Sequence, residues 1–130
     1  MKYLTAEEVL ILHSEIIDQT GGSHGIRDIG LLMSIIEKPK ATFGGKELYK
    51  GVFNKASATL EAFVQYHVFI DGNKRSAALS ASRFLFINGY DLTATNKELE
   101  KFMVKVAVEK SNLNEISLWL KKHSKKTKPK

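Results

Sequence analysis

The segment that most constrains the fold is residues 76–87, which would be apolar around most of its circumference as a helix. Ala77, Ala78 and Ala81 would let neighbouring backbones approach closely, whereas Phe84 and Leu85 would fill space. A helix without a polar face has to be surrounded by other elements. The segment therefore predicts the central helix of a bundle, and a chain of 130 residues leaves room for one domain around it.

The flanking segments show helical periodicity with recognisable start signals. Thr5 with Glu8 and Thr95 with Glu98 form capping boxes, and Asp28 can cap a short helix. We predict helices over about residues 5–19, 28–37, 52–68 and 96–110, and a last one beginning at Asn112 or Asn114. Residues 40–50 lack a clear period and predict an ordered loop or short hairpin. The predicted class is all-α, a compact bundle of about six helices.

The net positive charge is concentrated in the last ten residues. Residues 121–130 hold six of the twenty Lys and Arg residues and none of the fourteen acidic ones, so residues 1–120 are formally neutral. A basic decamer without apolar content predicts a disordered tail that follows a domain at residues 1–120. The neutral body argues against specific nucleic-acid binding.

The N-terminal segment predicts no targeting signal. Two carboxylates precede a broken apolar run that lacks a small-residue cleavage site. No apolar stretch reaches the roughly 18 residues of a membrane span. The chain contains no cysteine, which excludes disulfides and thiolate metal sites. Together these features predict a cytoplasmic protein without membrane contact.

Residues that could bind a ligand or take part in a reaction are concentrated where the predicted central helix begins. The first backbone N–H groups of a helix lack intrahelical partners and lie at the positive end of its dipole, so an anion is favoured there. Gly72 would permit close approach of a ligand, and Asn73 tolerates the dihedral angles of a tight turn. Lys74 and Arg75 add two cations. The pattern predicts a phosphate-binding turn.

His67 and Asp71 add a proton acceptor and a metal ligand to the same segment. An imidazole can accept a proton from a hydroxyl at neutral pH. Mg²⁺ prefers one or two carboxylates combined with phosphate oxygens and waters. Each residue also has a structural interpretation, because a histidine at a helix end is more often a packing residue and Asp-Gly-Asn is a common turn. The residues alone leave both interpretations open.

The run HVFIDGNKRSA resembles the core motif of the Fic/Doc family and matches the H-x-F-x-D-x-N-K-R spacing of its Doc branch. The turn GGSHGIRDIGLL and the loop FGGKELY are similar to that branch in the same order, so the resemblance covers about residues 1–120. Family members transfer part of a nucleoside triphosphate to a hydroxyl of a target protein. Fic members mostly transfer AMP, while Doc is a toxin that phosphorylates the translation factor EF-Tu and is neutralised by a short antitoxin.

The resemblance implies a Fic/Doc-like helical fold that uses ATP and Mg²⁺, with His67 as the general base and Asp71 as the Mg²⁺ ligand. The nucleotide-binding residues that it implies are Gly72, Asn73, Lys74 and Arg75. It also implies a flap that holds an extended target segment by strand-like pairing. The flap residues would be Phe43, Gly44, Gly45, Lys46, Glu47 and Leu48. A loop that merely covers the core is the alternative.

Departures from the Fic motif bear on the transferred group. Val68 and Ala78 follow the Doc branch, and Lys74 stands where the Fic motif has a small Gly. A long cation there would occupy space used in AMP transfer, so the terminal phosphate would face His67. Gly72, in contrast, is the Fic-type residue.

The leading hypothesis is a toxin-type, Mg·ATP-dependent protein kinase that phosphorylates a Ser or Thr hydroxyl of EF-Tu and arrests translation. An AMP-transferase with the same residues is the alternative, and a non-catalytic helical binding module is a second one. No segment matches an inhibitory helix together with the arginine it would need at position 78. We therefore expect a separate short antitoxin to restrain the protein.

Overall fold

Six α-helices form the framework in a computed structural model that describes residues 1–127. Their bounds are α1 Ala6–Thr20, α2 Ile29–Glu37, α3 Gly51–Gln65, α4 Asn73–Ile87, α5 Asn96–Glu109 and α6 Leu113–Lys122. A 3₁₀ turn, Lys38–Lys40, and four short strands complete the fold: β1 Thr42–Phe43, β2 Lys46–Glu47, β3 Tyr90–Leu92 and β4 Ser124–Lys126. The predicted all-α class is confirmed. Within residues 1–127, no helix is both long and apolar enough to cross a bilayer.

Helix starts follow the capping residues identified in the sequence. The backbone N–H of Glu8 donates to the Thr5 hydroxyl at 3.1 Å, and the Glu8 carboxylate accepts from the backbone N–H of Thr5 at 3.2 Å. Thr95 caps α5 in the same reciprocal way, while Asp28 caps α2 and Asn112 caps α6. These contacts satisfy N–H groups that a helix cannot pair internally. The predicted caps are confirmed.

Helix α4 lies in the core as predicted but shares the centre of the bundle with α3, because Arg83 and Phe86 on α4 are exposed and α3 also contacts α6. It packs along α3 and is also contacted by α1 and α5. Ala77 and Ala81 are fully buried on α4, as are Leu60 and Phe63 on α3. Since α3 and α4 are consecutive and packed side by side, the core fixes the position of the segment that joins them.

The far end of α4 is connected to both outer parts of the described chain. The Asn88 side chain donates to the backbone oxygen of Lys2 and accepts from its N–H, both at 2.8 Å. The backbone N–H of Thr127 donates to the Gly89 oxygen at 2.9 Å. Residues near the start and the end of the described chain therefore meet at this end of α4.

The structure differs from the expectation of a disordered tail. Helix α6 continues to Lys122, and β4 pairs antiparallel with β3, which the sequence analysis did not predict. Lysines in the last turn of a helix interact favourably with its dipole, and Lys125 lies opposite Asp91 across the strand pair. The prediction was wrong for residues 121–127 because backbone pairing needs little apolar content. Residues 128–130 lie outside the described part.

Candidate active site

The turn between α3 and α4 is attached to the core by two buried side chains, Val68 and Phe69. Its backbone also pairs with the segment that precedes α2. The N–H of Arg27 donates to the Val68 oxygen at 2.7 Å, and Ile26 forms a bridge with Phe69. The glycine-rich segment before α2 and the predicted phosphate-binding turn therefore form one unit, although they are distant in sequence.

The side chain of Asn73 closes this turn. Its Oδ1 accepts from the backbone N–H of Phe69, and its Nδ2 donates to the Phe69 oxygen, both at 2.9 Å. The amide group is therefore occupied in shaping the turn. What Asn73 can offer an anion is its backbone N–H at the start of α4.

The N-terminus of α4 has the properties of an anion site. Gly72 precedes it in the left-handed conformation, with φ of +75°, and no side chain of the described residues caps the helix. A Cβ atom at Gly72 would lie 3.0 Å from Cδ1 of Ile17, so a larger residue would be both strained and crowded. Because the first turn of α4 lacks a side-chain cap, its N–H groups can bind a phosphate.

Asp71 presents a half-exposed carboxylate beside this helix start. Its Oδ1 accepts from the Gly72 N–H at 2.8 Å, and its Oδ2 accepts from the Ser23 N–H at 3.3 Å. These two backbone bonds, together with the charges of Arg75 and His13, lower the pKa of Asp71 although partial desolvation opposes them. The carboxylate is therefore an ionised oxygen ligand at neutral pH.

The donor set of the turn fits Mg²⁺ held partly by a nucleotide. Across residues 1–127, no group of three or more acidic or histidine side chains could hold a metal ion by itself. Mg²⁺ commonly uses one or two carboxylates and takes its other ligands from phosphates and water. Asp71 beside an anion-binding helix start matches that requirement.

Replacing Asp71 with asparagine should change how stability depends on pH. Because the pKa of Asp71 lies below its ordinary value of 3.8, ionisation stabilises the fold above that value, and the contribution is lost as pH falls toward the lower folded pKa. We expect the unfolding temperature of Asp71→Asn to lie below that of wild type at pH 7 and to approach it below about pH 4. Thermal unfolding between pH 7 and pH 2, with Glu37→Gln as the surface control, measures this. A difference independent of pH would contradict the expectation.

His13 supports the turn from α1. It is buried, its ring stacks on Phe69 with centroids 3.8 Å apart, and its Nε2 lies 2.8 Å from the backbone oxygen of Asp71. Since a carbonyl only accepts, Nε2 carries the proton in this bond. In the sequence, His13 stands among the apolar residues of α1. A buried polar side chain such as this one is expected to have a hydrogen-bond partner, but the sequence does not show that the partner is the backbone oxygen of Asp71.

The two cations that open α4 have different surroundings. Arg75 donates to the Thr20 hydroxyl and, at 3.4 Å, to the Gly21 oxygen, and it lies 3.9 Å from Asp71. Lys74 is exposed, and within the described residues it forms no ion pair. Arg75 is therefore held at the end of α1, whereas Lys74 is available to a bound anion.

His67 lies in the same turn as the phosphate-binding residues. The backbone bends sharply there, because the N–H of Val68 donates to the Tyr66 oxygen at 2.8 Å. The His67 side chain is exposed, and no residue from 1 to 127 forms a hydrogen bond or ion pair with it. The imidazole is thus accessible to a substrate hydroxyl.

The predicted flap is a hairpin. Strands β1 and β2 pair antiparallel through a two-residue turn in which Gly44 and Gly45 both have positive φ, as this tight turn requires. Its residues are exposed, with Phe43 exposed to 82%. No hydrogen bond or ion pair found within residues 1–127 joins the hairpin to the turn at residues 67–75. The structure therefore joins Phe69, Asp71, Gly72, Asn73 and Arg75 by hydrogen bonds and an ion pair, leaves His67 exposed just before them, and leaves the flap a separate element.

The sequence matches one protein-family profile and is similar to two known proteins. The profile of the Fic/DOC family matches residues 3–85, more than half of the chain. The chain is 36% identical over 118 residues to Toxin Doc of Mycolicibacterium smegmatis, covering 89% of this chain and 88% of that protein. It is 35% identical over 89 residues to Protein kinase doc of Escherichia phage P1, covering 68% and 70%. The chain therefore belongs to the Fic/DOC family, and both relatives are of the Doc branch, as the sequence motif predicted.

Proposed function

We propose that the protein is a Doc-type toxin that transfers the terminal phosphate of ATP to a Ser or Thr hydroxyl of a target protein. The observation that carries the proposal is a helix start that no side chain from residues 1–127 caps, next to a lysine without an ion pair in that range and an accessible imidazole in the same segment. The relative named Toxin Doc supports the toxin role, and the relative named Protein kinase doc supports phosphate transfer.

Each residue of the turn would have its own role in the reaction. Nε2 or Nδ1 of His67 takes the proton as the hydroxyl oxygen attacks the terminal phosphorus. The new P–O bond forms while the bond to the oxygen bridging to the β-phosphate breaks, and ADP leaves. The first N–H groups of α4 and the Lys74 ammonium neutralise the charge on the phosphate oxygens.

Mg²⁺ bound by Asp71 would contribute further neutralisation of the triphosphate charge. Arg75, held by Thr20 and Gly21 on one side, would present its remaining N–H groups from a fixed position. Preorganised cations of this kind account for most of the rate in phosphoryl transfer, because the protein has little covalent chemistry to perform.

Transfer of the terminal phosphate is favoured over AMP transfer by Lys74 and Ala78, both of which depart from the Fic motif. The AMP-transferase alternative is favoured by Gly72, the Fic-type residue at that position. The structure also gives a local reason for Gly72, since a Cβ would contact Ile17. Gly72 therefore discriminates weakly between the two reactions.

The family resemblance extends the proposal to EF-Tu as the target, to arrest of translation in the cytoplasm and to a cognate short antitoxin. The exposed hairpin at residues 43–48 supports a protein target, because unpaired strand edges can bind an extended segment. An antitoxin would be needed to protect the host from an exposed active turn.

Labelled ATP distinguishes the alternatives. The protein is incubated with Mg²⁺ and EF-Tu, and with ATP that carries the label in either the α or the γ phosphate. We expect EF-Tu to retain label only from the γ position, and neither label to be retained with the His67→Ala variant. Label retained from the α position would establish AMP transfer instead. No transfer to EF-Tu, combined with transfer to another protein in a lysate, would remove EF-Tu as the target.

A further inference from the structure

Lys55 is a buried lysine beneath the hairpin. It lies on α3, and its side chain is 1% exposed. Its Nζ lies 3.0 Å from Oε1 of Glu47 on β2 and 3.0 Å from the backbone oxygen of Pro39, and 5.8 Å from the centre of the Tyr3 ring. Burial of an ammonium group is costly unless it is paired and hydrogen-bonded. The site therefore depends on its partners in the hairpin region.

The partners of Lys55 lie on both sides of the hairpin. Pro39 is in the 3₁₀ turn that leads into β1, and Glu47 is on the returning strand. The base of the hairpin is closed by the N–H of Leu48, which donates to the Ala41 oxygen at 2.9 Å. One buried charge on the core helix therefore holds the entrance and the exit of the hairpin.

The ion pair also determines which face of the hairpin is presented outward. Thr42 lies opposite Glu47, and Phe43 lies opposite Lys46. Side chains alternate between faces along a strand, and directly opposite residues share a face. With Glu47 directed at Lys55, the Phe43 and Lys46 pair is on the other face, and Phe43 is 82% exposed there.

We propose that Lys55 is a positioning residue that anchors the flap through Glu47 and thereby sets how the flap receives its protein target. Its effect on target binding rests on the proposed function, whereas anchoring itself does not. The anchored face offers an aromatic ring and a cation, which suits an extended segment that carries an apolar side chain and an acidic one.

Hydrogen exchange of the flap amides tests the anchor without any assay of activity. Glu47 is 56% exposed, so Glu47→Ala removes the partner of Lys55 without removing core volume. We expect exchange at residues 42–48 to become faster by about tenfold, the effect of losing one hydrogen bond to a charged group, while α4 amides stay protected. The control is Glu37→Ala, which removes a 3.3 Å pair with Lys40 in which both partners are exposed. Unchanged flap exchange in Glu47→Ala would overturn the proposal.

A double variant separates anchoring from general stability. Glu47→Ala alone leaves a buried cation without its carboxylate, so its unfolding temperature should fall. Adding Lys55→Met removes that cation and should recover most of the unfolding temperature, while flap exchange remains fast. Recovery of slow flap exchange in the double variant would show that the pair acts only through stability and would overturn the proposal.

Kinetics with the protein target connect the anchor to function. We expect KM for the target to rise about tenfold in the double variant, with ATP affinity and kcat close to wild type, because no group that contacts the phosphates is altered. A fall in kcat with unchanged KM would overturn the role in target binding. If the wild type transfers no phosphate while Glu47→Ala still mobilises the flap, the proposed function fails and the anchor stands.

Discussion

Replacing His67 with alanine is expected to lower phosphoryl transfer by about 10²–10⁴-fold, the contribution of a general base in the transition state. The fold should be almost unaffected, since the imidazole is exposed and has no partner among residues 1–127. Its unfolding free energy should stay within about 0.5 kcal/mol of wild type. ATP affinity should also persist, because the helix start and Lys74 remain.

The informative comparison is between transfer and growth arrest in the same variant. An enzymatic toxin loses both when His67 is replaced, whereas a non-catalytic binding module would still arrest growth. His24→Ala is a matched control, because that side chain is also exposed and, among residues 1–127, forms a hydrogen bond with Asp18 alone, at 2.7 Å. Growth arrest by His67→Ala at wild-type strength would contradict the catalytic assignment.

Replacing Asn73 should have the second largest effect on stability and ATP binding, because the change removes the two hydrogen bonds that close the turn between α3 and α4. Asn73→Ala loses both hydrogen bonds to Phe69, at about 1 kcal/mol each, so we expect a loss of about 2 kcal/mol in unfolding free energy. The N–H groups at the start of α4 should then lose their fixed position. Because misplaced groups bind a phosphate less well, ATP affinity should fall by at least about tenfold. Denaturant unfolding and nucleotide titration measure the two effects.

The variant Asn73→Asp distinguishes the effect of the shape of the turn from the effect of a negative charge at the start of α4. The aspartate keeps an acceptor for the Phe69 N–H but places an oxygen against the Phe69 carbonyl, where Nδ2 donates in wild type. Its charge interacts favourably with the helix dipole, so the stability loss should be smaller than in the alanine variant. Because that charge repels a triphosphate, ATP affinity should fall further. Equal ATP affinity in the wild type and both variants would contradict an anion site at this helix start.

Features that depend on nearby residues were predictable from the sequence. The capping boxes at Thr5 and Thr95 connect residues three positions apart, and they start α1 and α5 where expected. The burial of α4 in the core was predictable from the apolar composition of residues 76–87. The candidate site could be proposed from the sequence because its residues occur within nine positions of one another.

Features that depend on distant partners were not predictable in the same way. The bond from His13 to the Asp71 oxygen spans 58 positions, and no local pattern specifies it. The pairing of β4 with β3 joins a lysine-rich segment to residues 90–92, so composition indicated disorder where backbone pairing occurs. For Asn73 the sequence indicated a residue that tolerates tight-turn dihedral angles, whereas it is the first residue of α4 and its side chain binds the backbone of Phe69.

The connections at Asn88 and Gly89 have a practical consequence for experiments with this protein. Helix α4 has 15 residues and spans about 22 Å, with the phosphate-binding turn at one end and the attachments of Lys2 and Thr127 at the other. A fluorophore or affinity handle coupled beyond either attachment would start a full helix length from the beginning of α4. Immobilised or labelled protein should consequently keep the surface around the start of α4 open to large macromolecules.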